Sequence, residues 1–282
     1  MYKYITIIRL CFYGKALSFG EGWVRLQFQF IMFSFFKKNI FLFFFSLFMA
    51  FLACGHFNAS PNLKDYYYPI AQLKEGKVYE YTPANNDTLA GYYWYFHTLR
   101  PDPKQSNKTQ GDYLTGTYYD ANYEIGQIIS EEVVSNGTIL DESHLYLANA
   151  QGEKEQVNIM IEGANVFPFE VKDTNTVLFY KIHWKNPKDT SEQLTLTRNR
   201  RYLGKTTYQF KGNTYDCAKF ELRELIDSEK EGHWQQEYKG QELYAKGIGL
   251  VYSEKVINKN LVLAYRLKDI YDMKVLEEKA RR

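Results

Sequence analysis

Three cysteines, five histidines and scattered carboxylates are the side chains that could carry chemistry in this chain. Cys54 has the most telling surroundings. It follows Lys37-Lys38 and the run Ile40–Ala53, which is apolar except for Ser46. Cations, an apolar stretch and a small residue before the cysteine make the pattern of a cleaved export signal. Fourteen residues span about 21 Å as a helix, short of the ~30 Å hydrocarbon core, which argues against a permanent spanning helix. Cys217, in Tyr215-Asp216-Cys217-Ala218-Lys219-Phe220, sits mid-strand with no base nearby in sequence, so a packing role is expected rather than a nucleophile. His97, His183 and His233 each neighbour aromatic residues, and none has a partner at metal-ligand spacing. Asp141-Glu142-Ser143-His144 gathers ligand types, but successive strand residues face opposite sides. Neither a metal nor a cofactor is expected. Glu131-Glu132 and Glu277-Glu278 read as solvated pairs. No Gly-x-Ser-x-Gly, phosphate-binding glycine loop or HExxH occurs, although a glycosidase could draw its two acids from distant strands.

Aromatic residues offer binding rather than catalysis. Tyr92-Tyr93-Trp94-Tyr95-Phe96 puts rings on both faces of one strand, and the reading stays open between a packed central strand and the lining of an apolar or sugar-stacking cleft. Tyr92, Trp94 and Phe96, with Tyr244, Ile248 and Tyr252, are the candidate ligand-binding residues. Tyr66-Tyr67-Tyr68 could pack or sit at a membrane interface. Asn58, Asn86, Asn107 and Asn136 head glycosylation sequons that would matter only in a eukaryote.

The elements that must position these residues are strands. From Tyr66 onward, short runs rich in Tyr, Phe, Thr, Val and Ile are bounded by Gly, Asn and Asp. Expected strands are Lys77–Thr82, Gly91–Leu99, Tyr113–Tyr119, Glu124–Val134, Thr138–Leu147, Glu155–Ile161 and Thr176–Trp184. Gln193–Tyr202, Thr206–Phe210, Thr214–Leu225, His233–Tyr238, Glu242–Glu254 and Asn260–Tyr271 complete the set. Asn136-Gly137 between apolar runs is a strong hairpin signal, and Lys211-Gly212-Asn213 and Asn258-Lys259-Asn260 are similar. Helical periodicity is confined to the neighbourhood of Lys268–Arg281. The fold class is therefore all-β: a single antiparallel curved sheet, as an open barrel or a sandwich, with a short C-terminal helical tail.

Charge changes sign once the signal is set aside. Residues 1–53 hold six Lys/Arg and Glu21, leaving 29 basic and 32 acidic residues in the remaining 229. No basic patch interleaved with aromatics points to nucleic acid. With Cys54 set aside as the residue after cleavage, Cys217 is alone, so no disulfide staples the domain and its core must hold it. Residues 1–31 read as an upstream mis-start or unstructured extension, with Met32 as the expected start. Residues 32–53 are the signal, 54–64 a flexible tether containing Pro61, and 65–282 the β domain.

Leu52-Ala53-Cys54 resembles a bacterial lipobox, which implies cleavage before Cys54 and an N-terminal lipid anchor on that cysteine. Gly55, rather than Asp, is similar to the pattern of lipoproteins sent to the outer membrane. No acidic residue precedes Asp65, unlike surface-displayed Bacteroidota lipoproteins, which implies a periplasm-facing position. Asp87-Thr88-Leu89 resembles the O-glycosylation site of Bacteroidota exported proteins, with Thr88 as acceptor. LeuTyrAlaLysGlyIleGlyLeuValTyrSerGlu near the C-terminus resembles uncharacterised Bacteroidota lipoproteins, and the all-β architecture behind a lipobox resembles LolA/LolB half-barrels. The resemblance implies a non-enzymatic envelope lipoprotein holding an apolar small molecule or lipid. The alternatives are a scaffold that docks an envelope protein partner, and a hydrolase acting on glycans with acids from distant strands.

Overall fold

Residues that alternate between bulky and polar form thirteen strands, and the long ones could not be buried on both faces. In the computed structural model, residues 61–85, 89–100, 111–171 and 176–281 are described. The strands are β1 (Lys77–Pro83), β2 (Tyr92–Leu99), β3 (Tyr113–Tyr119), β4 (Ile125–Val134), β5 (Gly137–Ala148), β6 (Lys154–Val157) and β7 (Ile159–Pro168). They continue as β8 (Val177–Asn186), β9 (Asp189–Phe210), β10 (Asn213–Glu229), β11 (His233–Ala245), β12 (Gly249–Asn258) and β13 (Leu261–Tyr271). Helix α1 (Met273–Ala280) follows directly.

All pairings are antiparallel, and each strand pairs with its sequence neighbour except where β5 skips β6 to reach β7. The meander then closes on itself, because β13 returns to pair with β1 from Val78↔Tyr271 to Pro83↔Tyr265. Twelve strands make the ring, and β6 is appended to β5. The expected antiparallel curved sheet is thus present, as a closed barrel. Lys268 and Lys279 stitch the closure by donating to Glu80 at 2.7 and 2.5 Å.

Turn chemistry follows the sequence in several places. Lys211 and Gly212 both take positive φ (49° and 79°) in the two-residue β9–β10 turn, the handedness that matches strand twist. Two expected strands, Gln193–Tyr202 and Thr206–Phe210, are one strand, continuous through a bulge before Gly204 at φ 124°. The expected strand Glu242–Glu254 is instead two, broken by a tight turn at Lys246–Ile248 that Gly247 (φ 75°) and Gly249 (φ 102°) allow. The expected Glu155–Ile161 strand divides between β6 and β7, and β7 runs on to Pro168.

One stretch of the ladder is thin. β5 meets β7 only through Gly137, Thr138 and Ile139, and meets β6 only through Leu145–Ala148. Leu140–His144 therefore pair with β4 alone.

The N-terminal segment plugs one end of the ring. Leu63 donates to the Phe169 carbonyl at 2.7 Å, Gly247 donates to the Asp65 carbonyl at 2.7 Å, and Thr98 donates to the Leu73 carbonyl at 2.9 Å. Leu63, Tyr66, Tyr67, Tyr68 and Leu73 are all buried there. Tyr66–Tyr68 are thus core residues and not a membrane-interface belt, and the folded unit already takes in Leu63 of the expected tether. Tyr68 lies 4.2 Å from the Phe96 ring, and Tyr67 lies 4.9 Å from Phe167, which in turn lies 4.8 Å from Tyr244.

The outer face of β9 is polar. On β9, Thr195, Thr197, Asn199 and Arg201 alternate with the inward residues, and Arg201 pairs with Glu221 at 2.8 Å across to β10.

Gly249 tests the plug. A Cβ built on it would stand 2.5 Å from the Tyr68 ring, at a φ that L-residues rarely adopt. Gly249→Ala is expected to destabilise by about 1–3 kcal/mol, seen as a lower urea midpoint at unchanged m-value. An unchanged midpoint would mean that Tyr68 does not wedge the turn.

Candidate functional site

Strand alternation decides what faces inward, and a twelve-strand ring leaves room inside that eight strands would not. Large side chains take up most of that room, and a cavity of about 460 Å³ remains in the lumen. Its walls differ around the ring. Tyr92, Trp94 and Phe96 of β2, Tyr118 of β3 and Tyr265 of β13 form an aromatic side. Trp94 stacks on Phe96 at 5.4 Å, and Tyr92 meets Tyr265 at 4.8 Å. Leu196, Arg198 and Arg200 of β9, Leu222 and Glu224 of β10, Glu242 of β11 and Lys255 of β12 form a charged side.

The charges are paired with care. Arg200 donates from Nε and Nη2 to both Glu242 oxygens, at 2.7 and 3.3 Å, and from Nη1 to the Val166 carbonyl at 3.0 Å. Burial opposes the Glu242 charge, but Arg200 prevails and holds its carboxyl below the usual range. Tyr244 donates to the same carboxylate at 3.3 Å. Glu224 is shared by two cations: Arg198 donates from Nε to Oε1 at 2.6 Å, and Lys255 pairs with Oε2. Burial works against the Glu224 charge too, yet Arg198 and Lys255 pull its carboxyl down to about 2.

Glu131 is the opposite case. Completely enclosed, it accepts from the Tyr67 hydroxyl, and burial raises its carboxyl above the usual range despite that bond and the pull of Arg200. The expectation that Glu131-Glu132 is a solvated pair fails at Glu131, since β4 turns it into the lumen, where Gln127 and Ile129 also point.

Of the six expected binding residues, Tyr92, Trp94, Phe96 and Tyr244 line the cavity. Ile248 and Tyr252 do not. The hairpin at Lys246–Ile248 ends the face that Tyr244 begins, so Ile248 joins the core at the plugged end, while Tyr252 packs 6.3 Å from Tyr208 and donates to Glu254 at 2.7 Å. Cys54 and Thr88 lie outside the described residues. Cys217 is fully buried, with its thiol pushed up to about 11 by burial.

Along Asp141–His144, Ser143 turns into the lumen, and His144 bonds Gln156 at 2.9 Å and lies 4.0 Å from Glu142. Among the described residues, one group has metal-ligating atoms close together, Asp227, Glu229 and His233 at the β10–β11 turn, within 4.8 Å of one another. His233 is already paired with Asp227 at 2.8 Å.

No family model and no curated protein matches the chain. Among solved structures it is similar to a candidate lipoprotein of Parabacteroides distasonis, at 14% identity and TM-score 0.47, over 73% of this chain and 97% of that one. It is also similar to a candidate exported protein with YmcC-like fold from Bacteroides fragilis, at 14% identity and TM-score 0.48, over 73% and 99%. The hypothetical lipoprotein YmcC of Escherichia coli is similar at 9% identity and TM-score 0.29, over 73% and 91%.

Two lumen carboxylates should respond to pH with opposite signs. Glu224, depressed, stabilises the fold above pH 4.5, and that contribution is lost as pH falls towards about 2. Glu224→Gln strands Arg198 and Lys255, so it is expected to cost about 3–5 kcal/mol at neutral pH, shrinking in acid. Glu131, raised, contributes stability below pH 4.5 that is lost as pH rises through its folded value. Glu131→Gln should therefore gain on the parent protein as pH rises from 4.5. Thermal unfolding of both variants across acid to neutral pH reads the two slopes, and parallel curves would refute the assignments.

Proposed function

We propose that this chain is a lipid-anchored envelope lipoprotein whose barrel lumen binds an apolar or amphipathic small molecule or lipid without transforming it. The cavity of about 460 Å³ carries this reading, because it falls within the roughly 300–1,000 Å³ of small-molecule sites and pairs an apolar wall with a few convergent polar groups. A scaffold would need no such lumen. A hydrolase would need a pair of carboxylates free to act, whereas Glu131, Glu224 and Glu242 are each held by Tyr67, by Arg198 with Lys255, and by Arg200.

Anchorage follows from Cys54 and the signal before it. With Gly55 next and no acid until Asp65, we place the domain at the outer membrane facing the periplasm. Tyr92, Trp94, Phe96 and Tyr244 are the residues that contact the guest in this reading.

Native mass spectrometry of the mature chain tests it. The expected result is an added apolar mass that disappears on organic extraction and returns when envelope lipid extract is added. A bare mass before and after incubation with that extract would refute carriage and turn the search towards a protein partner.

A further inference from the structure

Pairing on the charged wall is uneven at one place, Glu224, while Glu131 elsewhere on the lumen wall accepts from Tyr67. Arg200 is closed off by Glu242 and the Val166 carbonyl. Glu254 also borders the cavity, with its carboxylate accepting from the Tyr252 hydroxyl at 2.7 Å. Within the third cluster one carboxylate, Glu224, meets two cations, Arg198 from β9 and Lys255 from β12.

The geometry of the three is layered. The Glu224 side chain is 1% exposed, whereas those of Arg198 and Lys255 are 26% and 31% exposed and line the cavity. The anion is at the back and the cations are in front. Arg198 spends Nε and Nη2 on a single Glu224 oxygen, and its Nη1 has no protein partner among the described residues. Its guanidinium lies over the Tyr180 ring at 5.4 Å, and the Lys255 ammonium over Tyr238 at 5.6 Å, so both heads are held in place. An unbalanced cation in a poorly solvated lumen is costly unless a counter-charge meets it.

Register places this cluster next to the aromatic wall. Lys255 pairs with Leu263, and Ser253 with Tyr265, so the strand that carries the cation adjoins the strand that begins the ring-lined side. A guest could therefore set an anionic head at Arg198 and Lys255 and lay its apolar body along Tyr265, Tyr92 and Trp94.

We propose that the lumen selects an anionic amphipath, a single carboxylate or phosphate on an apolar body, with the head held between Arg198 and Lys255. This rests on the reading of the barrel as a carrier. A carboxylate and a phosphate monoester share the needed chemistry, and both accept from a guanidinium and an ammonium at once.

The test is a headgroup series on the mature protein with one acyl chain throughout: oleate, oleoyl lysophosphatidate and the neutral monoolein. Hydrogen bonds to charged groups contribute about 1.5–3 kcal/mol, so calorimetry should give the anionic probes an advantage of about tenfold or more. Added salt should shrink it. Lys255→Met leaves Arg198 and Glu224 as a neutral pair, and should abolish the preference of the anionic probes over monoolein. The tighter of the two anions identifies the head. Equal affinity across the series in the parent protein overturns the proposal without any variant, as does an unchanged preference in Lys255→Met. If no probe binds, the carrier reading falls, and this proposal with it.

Discussion

Ring size is the constraint from which the rest of this molecule follows. Twelve strands enclose more space than ordinary aliphatic side chains can fill, and unfilled space forfeits the contacts that offset chain entropy. The chain meets the problem in three ways. It supplies rings, with 22 of its 25 tyrosines beyond residue 53. It folds its own N-terminal segment into one end, so that Leu63, Tyr67 and Tyr68 become core. It also extends long charged side chains across the lumen, where Arg198 and Arg200 reach what no leucine would. What these leave over is the cavity.

Charged filling has its own consequences. A buried ion pair contributes little net stability, but removing one partner strands the other, so such networks fix geometry more than they add free energy. The Arg200–Glu242 pair, anchored also to the Val166 carbonyl, ties β9 to β11 and β7 across the interior. Glu224 does the same for β9, β10 and β12 with one carboxylate. Walls held in this way resist collapse of the lumen. A carrier needs that, because a collapsed pocket would have to be reopened at each binding event.

The amino-acid sequence made the strands legible because alternation and turn chemistry are local. Lys211-Gly212 names its turn outright, and Tyr92–Phe96 announces a strand with rings on both faces. Closure was not local: nothing in Lys77–Pro83 specifies Tyr265–Tyr271 as its partner, and the choice between open and closed sheet depends on that pairing. The charged half of the lumen was missed for a different reason. Arg198 and Arg200 look solvated in Thr-Arg-Asn-Arg-Arg, yet Leu194, Leu196, Arg198, Arg200 and Tyr202 share one face of the strand. On β10, Leu222 and Glu224 share one too. An apolar stripe interrupted by opposite charges on neighbouring strands was the available signal. Ile248 lies off the cavity because two glycines turn the chain there, and Tyr252 because a bulge at Val251 shifts the alternation that Leu250 begins.

A closed ring distributes backbone hydrogen bonds evenly around its circumference, except along Leu140–His144, where β5 has a partner on one flank only. That stretch sets the mechanical character of the wall. Elsewhere, parting two staves breaks a full ladder, whereas between β5 and β7 only a few rungs at one end and the short β6 at the other resist. Thermal breathing is concentrated where the fewest bonds must break. The side chains behind that seam, Leu140 and Ser143, are lumen wall, so opening of the seam would alter the volume of the cavity.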